Sequence, residues 1–208
     1  MVNEYMSAEV FSALSAQLAA AGFAVSLSEQ VAQFADEERQ HGILCGAVVE
    51  ALGGAAVAAI PERPPYPWHA SESPRTGALR NVIHICCMSE TVAVALIGAE
   101  RLEMPEGPLR DLLTGIYSDE VGHARFGWRL LEGLASELTA DERRGIERYL
   151  PVAFAHLQAH ELAHLPDCDA PPNGQILGLC SGRAARSLLA ETIEQVIRPG
   201  LGRWFHLS

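Results

Sequence analysis

Aromatic residues are scarce, at 6% of 208 positions, and basic residues are outnumbered by acidic ones, 15 against 26, for a net charge of −11. That balance argues against nucleic acid or an anionic membrane surface as partner, because both demand basic patches. Five cysteines (45, 86, 87, 168 and 180) include no C-x-x-C pair. An odd count, with three of them on apolar stretches, argues against a disulfide scaffold and for a reduced, cytoplasmic protein. We read no membrane span, since no apolar run of about 18 residues is free of polar groups. The opening Met-Val-Asn-Glu lacks the basic-then-apolar profile of a signal peptide. No alternating pattern of strand type appears.

What the chain does have is alanine, leucine and helical periodicity, with 49% hydrophobic residues. The expectation is an all-α fold in a single domain over 1–208, with a core at 3–134 and a C-terminal helical extension at 139–208. Helix 1 is expected from about Asn3 to Ala21, stopped by Gly22. Ser26-Leu27-Ser28-Glu29 reads as a capping box opening a second helix that ends at Gly53-Gly54. Pro61 to Gly77 holds five of the twelve prolines and reads as a long non-helical crossover. Helix 3 follows over about Ala78–Leu102, and helix 4 from Pro108 to Leu134. A box at Thr139–Glu142 opens helix 5, kinked at Pro151 and ended before Pro166. Helix 6 covers about Ser181–Ile197 and is broken by Pro199-Gly200.

On this frame sit two Glu-x-x-His pairs, Glu38–His41 and Glu120–His123, with Glu90 on the helix before the second pair. Each pair puts a carboxylate and an imidazole one turn apart on one face. A lone Glu-x-x-His arises about once by chance in such a chain, so the setting has to carry the argument. Stepping about 100° per residue, Glu38 shares its face with Val31, Phe34, Cys45 and Val48, Glu90 with Ile83, Cys86 and Ile97, and Glu120 with Leu113, Ile116 and Leu131. Carboxylates centred on apolar faces need a common counter-charge, and two divalent metals supply it. Glu90 and Glu120 are also equally far from Pro105 at the centre of their turn, which puts them at one height of an antiparallel hairpin. Asp119 is placed to orient a ligand imidazole, and Arg101, on the Glu90 face, to pair with a carboxylate of the shell. From helix 1, Glu4 is preferred by face and Glu9 by depth. We choose Glu4, although a ligand so near Met1 requires a helix that starts at the terminus or an upstream segment. A Glu, a Glu-x-x-His, a Glu and a Glu-x-x-His from four helices are what a dinuclear carboxylate site in a bundle requires.

Through Asn3-Glu4 seven residues before Phe11, Asp36-Glu37-Glu38-Arg39-Gln40-His41, Glu90, and Ser118-Asp119-Glu120-Val121-Gly122-His123-Ala124, the chain resembles the ferritin-like di-iron carboxylate superfamily over about residues 3–134. The resemblance implies a four-helix bundle of two antiparallel hairpins and a non-haem centre of two iron ions, less often manganese or a mixed pair. It implies Glu90 and either Glu38 or Glu120 as bridging ligands, Glu4 and the remaining Glu as terminal, and His41 and His123 one to each metal. The implied activity is oxidation of a small organic substrate by O₂ with electrons from an unspecified donor. An iron-storing ferroxidase is the alternative, and a homodimer is compatible with either. Tyr117, one turn before Glu120, is a candidate radical or hydrogen-bonding group beside a plain core role. No rubredoxin-type cysteine pairs are present, so a full rubrerythrin is not expected.

Two features compete with that reading. His160-Glu161-Leu162-Ala163-His164 spells a zinc-protease motif, with Glu191 or Glu194 as third ligand, but such enzymes hold substrate along an edge strand. Its blander reading, with His156, is a solvated histidine stripe. A helical interaction or storage protein with a degenerate or structural ion site is the non-catalytic alternative. Tyr66, Trp68 and His69 in the crossover are read either as a lid over a substrate channel or as an ordered surface loop.

Overall fold

The structure, a computed structural model, describes residues 1–57, 59, 62 and 64–207, with Gln175 described by its backbone alone. Every regular element among the described residues is helical. The chain divides into two compact units, Met1–Asn81 and Val82–Ser208.

The first unit is built on a hairpin of α1 (Val2–Ala20) and α2 (Val25–Ala51). Its seam is apolar: Phe11, Leu14, Leu18 and Val31 are fully buried, and the Phe11 and Phe34 rings meet edge to face at 5.6 Å. Both helices end in a Schellman turn. Gly22 takes φ 77° while Phe23 N donates to Leu18 O, and Gly53 takes φ 83° while Gly54 N donates to Val49 O. These left-handed positions favour glycine, which has no Cβ to clash. The expected capping box at Ser26 does not form. The helix starts two residues earlier, with Ala24 rather than Ser26 at the N-cap and no side-chain cap. Ser28 Oγ donates back to Val25 O, and its carbonyl accepts from Ser15 Oγ of α1. Because the helix already begins at Val25, Ser26 lies inside its first turn rather than at the N-cap.

Of the expected crossover, Pro61 and Arg63 lie outside the described residues. The rest of it in this unit is tied down by a polar network. Asn81 Nδ2 donates to Gln17 Oε1 at 2.8 Å and to Pro67 O at 2.7 Å, Gln17 Nε2 donates to Trp68 O, and Tyr66 Oη donates to Gln17 Oε1. His69, at φ 52°, completes the turn against Asn81 Oδ1. Tyr66, Trp68 and His69 therefore form an ordered loop held on buried Gln17 and Asn81.

Helix α3 runs from Pro74 to Glu103, so the crossover turns helical four residues before the expected start at Ala78. Its first residues belong to the first unit and the remainder to the second. Ile83–Ser89 is wound as a π-helix and hands over to α-helix at Glu90. The helix is long and apolar enough to cross a membrane by length and composition, with 44% of its most apolar window buried. Core helices meet the same criterion.

In the second unit α4 spans Pro108–Leu134 and α5 spans Ala140–His164 with Pro151 inside. The capping box opening α5 forms as expected: Thr139 Oγ1 accepts from Glu142 N, and Glu142 Oε2 accepts from Thr139 N at 2.8 Å. Thr139→Ala should cost about 1 kcal/mol, read as a lowered denaturation midpoint at unchanged slope. At the other end of α5, Arg186 donates to the carbonyls of Leu162 and Leu165, supplying partners a helix C-terminus lacks. The final helix, α6, comprises Gly182–Thr192, a π-helical turn at Ile193–Ile197 and Arg198–Gly202. The expected break at Pro199-Gly200 is absent. The proline sits in the first turn of the last α segment, where its missing N–H costs little. Ile146, Leu150, Leu157, Ile193 and Ile197 are fully buried, so the C-terminal helices share the core of this unit.

Candidate metal centre

Each unit contains a triad of two carboxylates and one imidazole, buried in the second unit and buried except for Glu4 in the first. In the first, α1 supplies Glu4 and α2 supplies Glu38 and His41. Their ligand atoms lie within 4.8 Å of one another. His41 Nδ1 is 3.9 Å from Glu4 Oε2 and 3.9 Å from Glu38 Oε2. Glu38 and His41 are 2% and 1% exposed, whereas the Glu4 side chain is 24% exposed. Glu9, the alternative on α1, faces solvent.

In the second unit α3 supplies Glu90 and α4 supplies Glu120 and His123, again within 4.8 Å of one another. His123 Nδ1 is 3.3 Å from Glu120 Oε2 and 3.6 Å from Glu90 Oε2. The exposures are 7% for Glu90, 4% for Glu120 and 0% for His123. Glu90 and Glu120 thus meet at one level of their hairpin.

The donor chemistry fits a metal ion. Atoms bound to one ion at about 2.1 Å stand roughly 3.0–3.4 Å apart, close to the shorter separations here. Two carboxylates balance the charge of a divalent cation, which answers the cost of burying them. A mixed set of carboxylate oxygen and imidazole nitrogen is a donor set that divalent transition-metal ions accept.

The surroundings differ from expectation in one respect. Arg101 does not pair with a triad carboxylate. Its guanidinium lies over the Tyr117 ring, 5.0 Å from the centroid. Tyr117 is half-buried and packs on Gly98, and Asp119 is half-buried beside Glu120. Sequence reasoning also missed how α3 and α4 come so close. A Cβ placed on Gly127 would stand 2.5 Å from Cys86 Cβ and 2.8 Å from Cys87 Sγ. A glycine in the apolar face of α4, one turn after His123, was the available signal. Trp128 Nε1 donates to Thr91 Oγ1 at 3.0 Å and fixes the same pair of helices. Burial pushes the Cys86 and Cys87 thiols well above their ordinary value, so both stay protonated and inert.

The His160–His164 motif makes a poor protease. No strand is present among the described residues to hold a peptide. Glu194 is paired with Arg198 at 2.9 Å. Burial, then the neighbouring imidazoles of His164 and His156, lowers the pKa of His160, and burial raises that of Glu161. Two cavities in the second unit, one against Leu150 and Phe154 and one against Trp128 and Trp204, have no triad residue in their walls.

Comparison of the chain with protein-family models, with curated proteins and with solved structures gives no match.

Proposed function

We propose that this chain is a non-haem di-iron oxidoreductase of the ferritin-like type. Glu4, Glu38 and His41 would serve one ion, Glu90, Glu120 and His123 the other, and the two would act as a pair. The observation that supports the reading is repetition: two separate hairpins each gather the same donor set, two carboxylates and one imidazole, on adjacent helices, with all but the half-buried Glu4 buried. One buried carboxylate has many structural explanations, whereas the same costly triad built twice in 208 residues is hard to explain without a cation for each. When bound, a pair of iron ions supplies two-electron redox chemistry toward O₂.

The chain's own part is to hold and to insulate. Glu-x-x-His spacing on α2 and α4 locks a carboxylate and an imidazole one turn apart, so each pair is preorganised by its helix. Phe34, Ile116 and the Cys86–Met88 segment are buried and raise the cost of leaving the carboxylates uncompensated. The π-turn ending at Glu90 is a local distortion of a kind common at functional sites.

We assign oxidation of a small organic molecule as the activity. A ferroxidase, whose substrate is iron itself, is the second reading. The test is O₂ consumption by anaerobically reduced, iron-loaded protein, with and without excess Fe²⁺. The proposal expects rapid uptake with a new near-ultraviolet absorption. Turnover sustained by added Fe²⁺, with iron retained well beyond two per chain, would select the ferroxidase. Bound metal with no O₂ uptake would leave a structural site.

A further inference from the structure

The second unit carries a second cluster of imidazoles that the triads do not use. His84 lies in the π-turn of α3 and His156 on α5. Their Nε2 and Nδ1 atoms are 3.1 Å apart, with the rings edge to face at 4.9 Å. We propose that His84 and His156 form a surface site for a divalent transition-metal ion of the imidazole-preferring class, Zn²⁺, Ni²⁺ or Cu²⁺, with solvent completing the shell.

Geometry is the first argument. Two ring nitrogens at this separation share either a proton or a cation. Nitrogens bound at about 2.0–2.1 Å to one ion stand roughly 2.9–3.4 Å apart, so the pair can take an ion without backbone movement. Access is the second. His156 is exposed and His84 half-buried, which leaves one side open to incoming metal and to water ligands.

The neighbouring turns extend the set. His160 stacks parallel to His156, with interplanar angle 10° and centroids 6.1 Å apart, and His164 follows one turn on. His164 donates from Nδ1 to His160 O at 2.8 Å, which fixes its tautomer and leaves Nε2 as the basic nitrogen. Metal-ligating histidines are oriented by the same device. Position and donor number separate this site from the triads: it joins two imidazoles where each triad has one, and such a nitrogen pair favours Cu²⁺ over Zn²⁺ or Ni²⁺. The inference therefore stands whether or not the triads hold iron.

The test is one equivalent of Cu²⁺ added to the full chain, read by low-temperature electron paramagnetic resonance. The splitting pattern of two nitrogens is expected in the wild type and in Glu120→Gln. It should be lost in His84→Gln/His156→Gln, leaving at most the single-nitrogen pattern of a triad imidazole, with Cu²⁺ affinity falling at least about tenfold. His156→Gln alone, at an exposed helical position, should weaken binding in the same direction and guards against misfolding of the double variant. A wild-type spectrum without the two-nitrogen splitting, or a splitting unchanged in both variants, would overturn the proposal and leave the pair as a hydrogen bond.

Discussion

His123→Ala is expected to strip metal from the α3–α4 triad, taking a centre of about two ions per chain to about one or fewer. His123 is fully buried and is the only imidazole of its triad, with Nδ1 3.3 Å from Glu120 and 3.6 Å from Glu90. Alanine removes the nitrogen donor and leaves two carboxylates around a void. Affinity should fall by more than the 10–100-fold typical of losing a group that merely orients a ligand. Glu120→Ala should match it, because the remaining carboxylate no longer balances a divalent charge. Glu38→Ala and His41→Ala should do the same for the other triad. Glu9→Ala, at an exposed position on α1, should leave metal content unchanged. Thermal melts of metal-free protein should change far less than metal content, because removing one buried carboxylate also relieves repulsion. Elemental analysis of the purified variants reads the result, and wild-type metal in both His123→Ala and Glu120→Ala would refute the assignment.

Gly127→Val should disrupt stability and metal binding together. The new Cβ would meet Cys86 Cβ at 2.5 Å, Cys87 Sγ at 2.8 Å and the Cys86 carbonyl carbon at 3.2 Å. Two of these atoms are fixed on or next to the backbone of a buried π-turn, so a side-chain rotation cannot relieve the clash and α3 and α4 must separate. Overpacking of this kind costs about 1–3 kcal/mol, and valine's two further methyls place it at or above the upper end. Gly127 lies one turn after His123 and Cys86 one turn before Glu90, so the separation moves ligands on both helices. Gly122→Ala is the control. Its Cβ would meet nothing within 4 Å, and alanine is favoured over glycine in a helix by up to about 1 kcal/mol. A Gly127→Val protein with wild-type melting temperature and metal content would show that the close approach is dispensable.

The parts of this molecule written in local chemistry were legible in the sequence. Pro108 at a first helical position set the start of α4, and Thr139 with Glu142 set that of α5, because each signal acts within a single turn. The shared height of Glu90 and Glu120 followed from counting residues on either side of one tight turn. Helix face pointed to Glu4 rather than Glu9, and Glu4 Oε2 stands 3.9 Å from His41 Nδ1 while Glu9 faces solvent. What could not be read depended on partners distant in sequence. The carbonyl of Ser28 accepts from Ser15 of α1, a contact between helices that no local pattern shows. Asn81 and Gln17 pin a crossover that read only as broken chain. The π-turn at Ile83–Ser89 resets the phase of a 3.6-residue wheel, so faces counted across it from Glu90 are offset. Arg101 settled over Tyr117 because a planar cation gains from an aromatic face.

The most direct test of the account is the number of metal ions per chain in protein produced with iron, measured together with magnetic coupling between them. The account predicts about two irons, coupled to each other, and both lost when His41 and His123 are replaced together. One ion or none, or two ions that behave as isolated centres, would contradict it.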